Sequence, residues 1–315
     1  MSTVQVVTGA GPVGWTVADQ LAAQGHRVRV LTRSGSGPER PNVERLRVDV
    51  SVPGSLDAAL EGAAAVFHCT HGSAYSAEAW RRELPSTERA VLAAAGRAGA
   101  VVVFPESLYS YGRVDGPITE DTPREARDGK LGVRTELLRQ REASDTATVS
   151  VAASDFFGPR VLMAHAGERM VPIILSGKTV RVIGGLDTPH SFTYVPDLAA
   201  AMIAAAADPP LWNSVLHAPT GPAITQRALV HAYAAAAGVP DPKTGVLPGW
   251  LLRGAGLVHR DSRELAEMLY QFERPFVLDS GRSERLLGLA PTPLADAAAA
   301  TVAWWRTREL APAPR

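Results

Sequence analysis

The stretch from Val4 to Gly25 constrains this chain more than any other, because it dictates a strand, a glycine turn and a helix in that order. Val4, Val6 and Val7 make the apolar run of a strand buried on both faces, and Val13 to Ala23 space their apolar residues three and four apart, as one helix face requires. Between them Gly9, Gly11 and Gly14 spell G-x-G-x-x-G. At a strand-to-helix corner, a tight turn, a close backbone approach and close helix packing each exclude a side chain. Pro12 and Val13 open the helix, and its free N–H groups would receive a pyrophosphate. Glycine turns are common, but a strand before and a helix after make this one a dinucleotide motif. The expected fold is α/β, a Rossmann-type doubly wound parallel sheet with helices on both faces and a smaller C-terminal substrate lobe. Residues 1–158, with 191–218 returning, would form the dinucleotide lobe; 159–190 and 219–315 would form the substrate lobe.

The chain beyond the motif bears on which dinucleotide fits. His26 to Arg33 alternates as a second strand and ends in Arg33-Ser34-Gly35, without the acid that usually bonds a ribose 2′-hydroxyl. Arg33, aided by Ser34, suits a 2′-phosphate, and the expected cofactor is NADPH. A third strand, Arg45 to Val50, carries Asp49 at its tip, either for the adenine amine or to cap the turn that follows. A short helix is expected over Ser55 to Glu61. Ala64 to Gly72 forms a fourth strand and turn, with Thr70 and His71 beside the cofactor. No acid or cysteine cluster accompanies these histidines at ligand spacing, so no metal is expected.

Composition narrows the class. With 315 residues, 46% of them hydrophobic, the chain can bury a full core, and its 32 basic residues balance 32 acidic ones. That balance offers no basic face for nucleic acid or an anionic membrane. One cysteine, Cys69, forbids an internal disulfide, and neither a signal-like start nor a run of about 20 apolar residues is present, so a cytoplasmic protein is expected. The oligomeric state stays open between monomer and homodimer.

A long helix over Glu78 to Ala98 leads to the fifth strand, Val101 to Phe104, and then to Pro105-Glu106-Ser107-Leu108-Tyr109-Ser110-Tyr111-Gly112. Chemistry in open α/β sheets gathers at the carboxyl ends of strands, which makes Ser107 the first reactive candidate. Further on, a sixth strand over Ala147 to Ala153 ends in Ser154-Asp155-Phe156-Phe157-Gly158-Pro159. A helix over Val161 to Ser176, a loop through His190 and Phe192, and a helix after Thr225 follow, with Asp197 capping the helix between.

These motifs resemble the extended short-chain dehydrogenases/reductases, especially atypical members, over nearly the whole chain. The likeness rests on Thr8 to Gly14, Ser107 with Tyr111-Gly112, Phe156 to Pro159, Tyr194-Val195-Pro196-Asp197 and Pro291-Thr292-Pro293-Leu294. The resemblance implies that Ser107 binds a substrate carbonyl, that the turn at Asp155 and Phe156 backs the nicotinamide, and that a later Tyr-x-x-x-Lys supplies a proton. That tyrosine is missing, for none occurs between Tyr111 and Tyr194. Spacing puts Lys130 and Arg134 in the places of the Tyr and Lys, with Ala126 and Lys130 as the other pairing. Lys130 joins Ser107 as a candidate in catalysis; Tyr109, Tyr111, Asp155, His190 and Phe192 are candidates to line the substrate. Arg134, Arg139 and Arg141 are expected on the exposed face of their helix.

The expectation that follows is an NADPH-dependent ketoreductase acting on a ketone of a bulky, largely apolar small molecule of aromatic polyketide type. The substrate itself or water would then replace the lost acid. Two alternatives stand beside it: a redox-neutral epimerase or dehydratase, and a non-catalytic cofactor sensor similar to the NmrA-like binders.

Overall fold

The protein was analysed as a computed structural model, which describes residues 4–52 and 54–310. In chain order it runs Val4–Thr8 (β1), Pro12–Ala23 (α1), Arg27–Thr32 (β2), Val43–Arg47 (β3), Ala63–His68 (β4), Ala77–Ala98 (α2), Val101–Ser107 (β5), Gly129–Glu142 (α3) and Thr148–Ala153 (β6). Then come Asp155–Phe157 (β7), Val171–Leu175 (α4), Val180–Ile183 (β8), Phe192–Tyr194 (β9), Val195–Ala207 (α5), Ser214–His217 (β10), Gln226–Ala237 (α6) and Thr244–Leu247 (β11). Gly249–Ala255 (α7), Arg260–Ala266 (α8), Tyr270–Glu273 (α9), Gly281–Leu287 (α10) and Leu294–Leu310 (α11) complete it.

Seven of the strands form one parallel sheet in the order β10-β6-β5-β4-β1-β2-β3. The order reverses between β1 and β4, and ligands of such sheets bind at the carboxyl edge of that reversal. The central strands are apolar because both faces are covered. Val17 and Leu21 of α1 and Leu198 and Met202 of α5 share one core on one face, while Val91 and Leu92 of α2 share a second on the other. A third core lies in the C-terminal half, where Val180, Leu229, Tyr233, Val302 and Trp305 pack together. Helix ends follow their sequence signals. Ser76 and Thr225 accept the Ala79 and Ala228 N–H groups at 3.3 and 3.1 Å, and Gly99 and Gly238 close the same helices at φ 70° and 64°.

Several elements differ from expectation. The third strand stops at Arg47, because Asp49 turns the chain by accepting from the Ser51 N–H at 3.0 Å. Ser55 to Glu61 forms turns with one helical bond, Leu60 N–H to Leu56 at 2.9 Å, although Leu56, Ala59 and Leu60 are buried as the helical pattern required. Gly54 and Gly62, at φ 79° and 70°, bound a segment too short for a stable helix. The helix expected over Val161 to Ser176 shrinks to Val171–Leu175, since Gly167 packs against the Val161 carbonyl, where a Cβ would stand 2.3 Å away. Asp197 does not cap α5. It lies inside the first turn and accepts the Thr292 N–H and hydroxyl at 2.8 and 2.6 Å, tying two of the motif stretches together. The tail from Ala311 to Arg315 lies outside the described residues.

His68, at the end of β4, is 4% exposed, with its two ring nitrogens 2.8 and 3.0 Å from the hydroxyls of Thr8 and Thr70. Burial pushes its pKa down to about 4. The unfolded chain would bind a proton near pH 6.5, so between about 6.5 and 4 unfolding takes up a proton that the folded state refuses. Stability is therefore full above this window and falls as pH drops through it, by on the order of 3 kcal/mol for this group alone. His68→Gln is expected to flatten the fall in urea midpoint between pH 7 and pH 4.5; an unchanged slope would assign acid lability elsewhere.

Candidate active site

The glycine corner is built as a cradle. Gly9 sits at φ 85°, and a Cβ there would stand 2.9 Å from the Cys69 carbonyl oxygen; one on Gly14 would stand 2.1 Å from the Gly9 oxygen. A Cβ on Gly11 would meet nothing within 4 Å. Two glycines thus close the corner, and the third leaves backbone open toward the side from which a pyrophosphate approaches. No side chain caps α1, so its first N–H groups have no competing side-chain acceptor. The residues present fit a dinucleotide.

Around the cradle, Arg33 and Ser34 are exposed at the tip of β2, with Ser34 bonded to the Ser36 hydroxyl at 2.9 Å. Asp49 also accepts the Ser51 hydroxyl at 2.6 Å, and these Ser51 bonds hold its carboxyl below the usual range, with Arg33 adding to the effect. The expected turn cap is thus present at Asp49. Thr70 bonds the buried His68, and His71 is exposed with its ring edge on Trp80, centroids 4.7 Å apart. Phe156 is half-buried against the core beneath α1.

Ser107 ends β5, registered with Ala153 of β6. Its hydroxyl lies 3.3 Å from Glu106 Oε1, which also accepts the Ser107 N–H at 2.8 Å. Glu106 is 1% exposed and is gripped from below: Arg134 donates to both oxygens at 2.6 Å and Arg141 to Oε2 at 2.7 Å. Arg141 also donates to Glu88 at 2.6 and 2.8 Å and lies 3.9 Å from the centre of the Phe104 ring. Burial alone would raise the Glu106 carboxyl; the charges of Arg134 and Arg141 outweigh it and hold the group ionised. The exposed face expected for Arg134 and Arg141 is therefore corrected. Both are buried, because two interior carboxylates need them, and the helix's low apolar content reflects that demand.

Lys130 is buried as well. Its Nζ donates to the Glu264 carboxylate and carbonyl at 2.6 and 2.9 Å and forms an ion pair with Glu267 at 2.5 Å, beneath the Tyr75 ring. With its charge held between two carboxylates, it fastens α8 to α3. Tyr75 and Tyr109 share a hydrogen bond at 2.7 Å, and Tyr109 stacks on Trp80. Tyr111, 5% exposed, bonds His217 at 2.8 Å and lines the core under the crevice. Phe192 is buried against His190, itself 1% exposed and 2.7 Å from Asp155. Of the expected substrate-lining residues, Tyr109 and Asp155 keep open surface, while Tyr111, His190 and Phe192 stand behind them.

Glu106, Glu88, Tyr75 and Trp80 were missed as site residues. A lone glutamate at the end of an otherwise apolar strand was a readable signal for Glu106; nothing local marked Glu88 as its partner's partner. Among the described residues, no cluster of three or more His, Cys, Asp or Glu is placed to hold a metal, and no helix is long and apolar enough to cross a membrane.

The parallel sheet, its reversal point and the glycine cradle define a dinucleotide-binding doubly wound α/β protein. Residues 5–213 match the NAD dependent epimerase/dehydratase family, and the chain belongs to it, among the extended short-chain dehydrogenases/reductases. An uncharacterized protein, y4nG of Sinorhizobium fredii, is 27% identical over 219 residues, 65% of this chain and 53% of that one. The chain thus spans about half the length of that relative. The fold is shared with the Bordetella bronchiseptica enzyme WbmH in complex with NAD+, at TM-score 0.76 and 20% identity over 97% of this chain and 99% of the other. It is shared too with the UDP-glucose 4-epimerase of Thermotoga maritima with UDP-glucose, at 0.78 and 19% over 98% and 100%. Membership of an NAD-dependent family supports a nicotinamide dinucleotide as the ligand of the cradle.

Removing Arg141 would strand the buried Glu88 carboxylate and leave Glu106 to Arg134 alone. Arg141→Met is expected to destabilise the protein by about 3–5 kcal/mol in urea titrations, whereas Arg97→Ala, at an exposed pair with Asp57, should change it by less than about 1 kcal/mol. Equal effects would mean that the interior pair network carries no special weight.

Proposed function

We propose that this chain is an NADPH-dependent ketoreductase that reduces a ketone of a bulky, largely apolar small molecule of aromatic polyketide type, the chemistry of antibiotic biosynthesis. The observation that carries the reading is a complete dinucleotide cradle beside a site without the family's tyrosine. At that spacing Lys130 and Arg134 are locked in ion pairs, and Ser107 stands at the strand end with its hydroxyl held only by a 3.3 Å contact to Glu106. Loss of positioned acid catalysis costs about 10²–10⁴ in rate, while holding two reactants in line supplies about 7–11 kcal/mol of the barrier, so hydride transfer survives without the tyrosine.

When bound, the reduced nicotinamide supplies a hydride. Gly9, Gly11, Pro12, Val13 and Gly14 would seat its pyrophosphate, Arg33 and Ser34 would meet the 2′-phosphate, and Thr70 and His71 would border the ribose. Ser107 turns its hydroxyl from Glu106 to the carbonyl oxygen, and Glu106, fixed by two arginines, keeps that hydroxyl within reach of its task. Tyr109 and Tyr75, backed by the buried Trp80, present an aromatic wall suited to a fused-ring substrate.

A second reading, redox-neutral epimerase or dehydratase chemistry on a nucleotide sugar, draws on the family and on one feature of the surface. Arg81, Arg82, Arg260 and Arg263 line an open groove that reaches Glu264, the partner of Lys130, and would suit a diphosphate. Nicotinamide absorbance separates the two: net oxidation of NADPH with aromatic ketones supports reduction. Sugar conversion without net oxidation supports the second reading, and cofactor binding with neither supports a sensor.

Arg33→Ala is expected to weaken NADPH binding about ten- to a hundredfold and leave NADH binding unchanged, measured by calorimetry. Equal affinity of variant and parent for NADPH removes the 2′-phosphate assignment. Ser107→Ala is expected to lower kcat for ketone reduction about 10²–10³-fold with dinucleotide affinity intact. Full activity in that variant would make Ser107 structural.

A further inference from the structure

Hydrogen-bond bookkeeping at His190 leaves one proton unaccounted for. His190 Nδ1 is 2.9 Å from the Gln271 carbonyl oxygen, and Nε2 is 2.7 Å from Asp155 Oδ2. A carbonyl oxygen only accepts, so Nδ1 must carry a hydrogen. A neutral ring would then point the Nε2 lone pair at a carboxylate lone pair across a hydrogen-bond distance. The contact is attractive only if a proton lies in it, either on Nε2 of an imidazolium or on Oδ2 of a carboxylic acid. His217 shows the balanced case: its Nδ1 meets the Asp279 carbonyl at 2.7 Å, but its Nε2 meets the Tyr111 hydroxyl at 2.8 Å, which donates to a neutral ring.

The surroundings hold this pair in place and aim it. His190 is 1% exposed, stacked between the rings of Phe272 and Phe276, with centroids 4.6 and 5.5 Å away. Asp155 keeps 23% of its side chain open, on β7, two residues past the Ala153 that registers with Ser107. Donor and serine thus stand on the same carboxyl edge of the sheet.

We propose that Asp155 and His190 form a proton-loaded pair which, in place of the missing tyrosine, delivers the proton that completes carbonyl reduction; this rests on the ketoreductase reading above. As hydride reaches the carbonyl carbon, the C=O π pair moves to oxygen and an O–H bond forms with the proton leaving Asp155. The ketone gains two electrons, the dinucleotide loses two, and His190 keeps its Nδ1 hydrogen. Water reloads the emptied pair. Asp155 touches substrate; His190 is a positioning residue acting through it.

The titratable groups facing the pair do not compete for this task. Tyr75 from the loop before α2, Tyr109 after β5 and Tyr270 of α9 all feel the Asp155 charge, as does His165. Burial pushes Tyr270 up to about 12, raises Tyr109 well above the usual phenol range, and pushes His165 down to about 4. Glu267 lies beyond Tyr75, neutralised by Lys130 at 2.5 Å.

Two measurements test the proposal on the full chain. In ¹⁵N spectra of His190 in the unliganded protein at neutral pH, both ring nitrogens should read as protonated, or Nε2 as a hydrogen-bonded acceptor while the Asp155 ¹³C carboxyl reads as acid. A neutral ring beside an ionised carboxylate overturns the pair regardless of activity. In turnover, Asp155→Asn should lower kcat about 10²–10⁴-fold with KM and dinucleotide affinity within about twofold, and should abolish the loss of rate at rising pH that the proposal expects of the parent. His190→Gln should shift that high-pH limb while keeping the dinucleotide bound. An Asp155→Asn variant with parental kcat and pH profile overturns the catalytic role. Absence of ketone turnover in the parent overturns both this role and the reading it rests on, and leaves the spectroscopic result to report on the pair alone.

Discussion

The corner between β1 and α1 is the constraint on which the rest depends. With Gly14 packed so that a Cβ would stand 2.1 Å from the Gly9 oxygen, the helix must leave the strand at close quarters, and its N-terminus must face the carboxyl edge of the sheet. That single packing decision points backbone donors at the place where the strand order reverses. Everything placed there afterwards, Ser107 at the end of β5 and Asp155 after β6, inherits its position from the register of parallel strands.

Interior charge is the second organising force. Glu88, Glu106, Arg134 and Arg141 sit in a layer that is otherwise apolar, and each would be costly alone. Together they form two bidentate pairs joined by a single Arg141–Glu106 bond, running from α2 through α3 to the residue before Ser107. Such a network contributes little net stability over an apolar core, but it holds β5, α2 and α3 in one relative position. Here that position is the floor of the crevice. Lys130 with Glu264 and Glu267 does the same for its wall, fastening the C-terminal half across α3.

The parts legible from the sequence were those set by local spacing. The glycine corner, six strands of the parallel core, the helix after Thr225 and Ser107 at a strand end all follow from residues within a few positions of one another. The misreadings came from contacts distant in sequence. Arg141 looked solvated because its helix is rich in charge, and its partner Glu88 lies 53 residues away. Asp197 looked like a cap until Thr292, 95 residues on, took its carboxylate. His190, on a loop, looked placed to line the substrate, yet it is enclosed by Phe272 and Phe276.

By itself, then, the order of residues determined the fold class, the dinucleotide cradle and the absence of a tyrosine from α3, since each depends on backbone geometry or on residue identity alone. Only the tertiary structure decided which charges are paired, which candidates face open space and where Asp155 meets His190. Hydrogen-bond and ion-pair partners are chosen by proximity in space, and for a buried charge the free energy resides almost wholly in that choice.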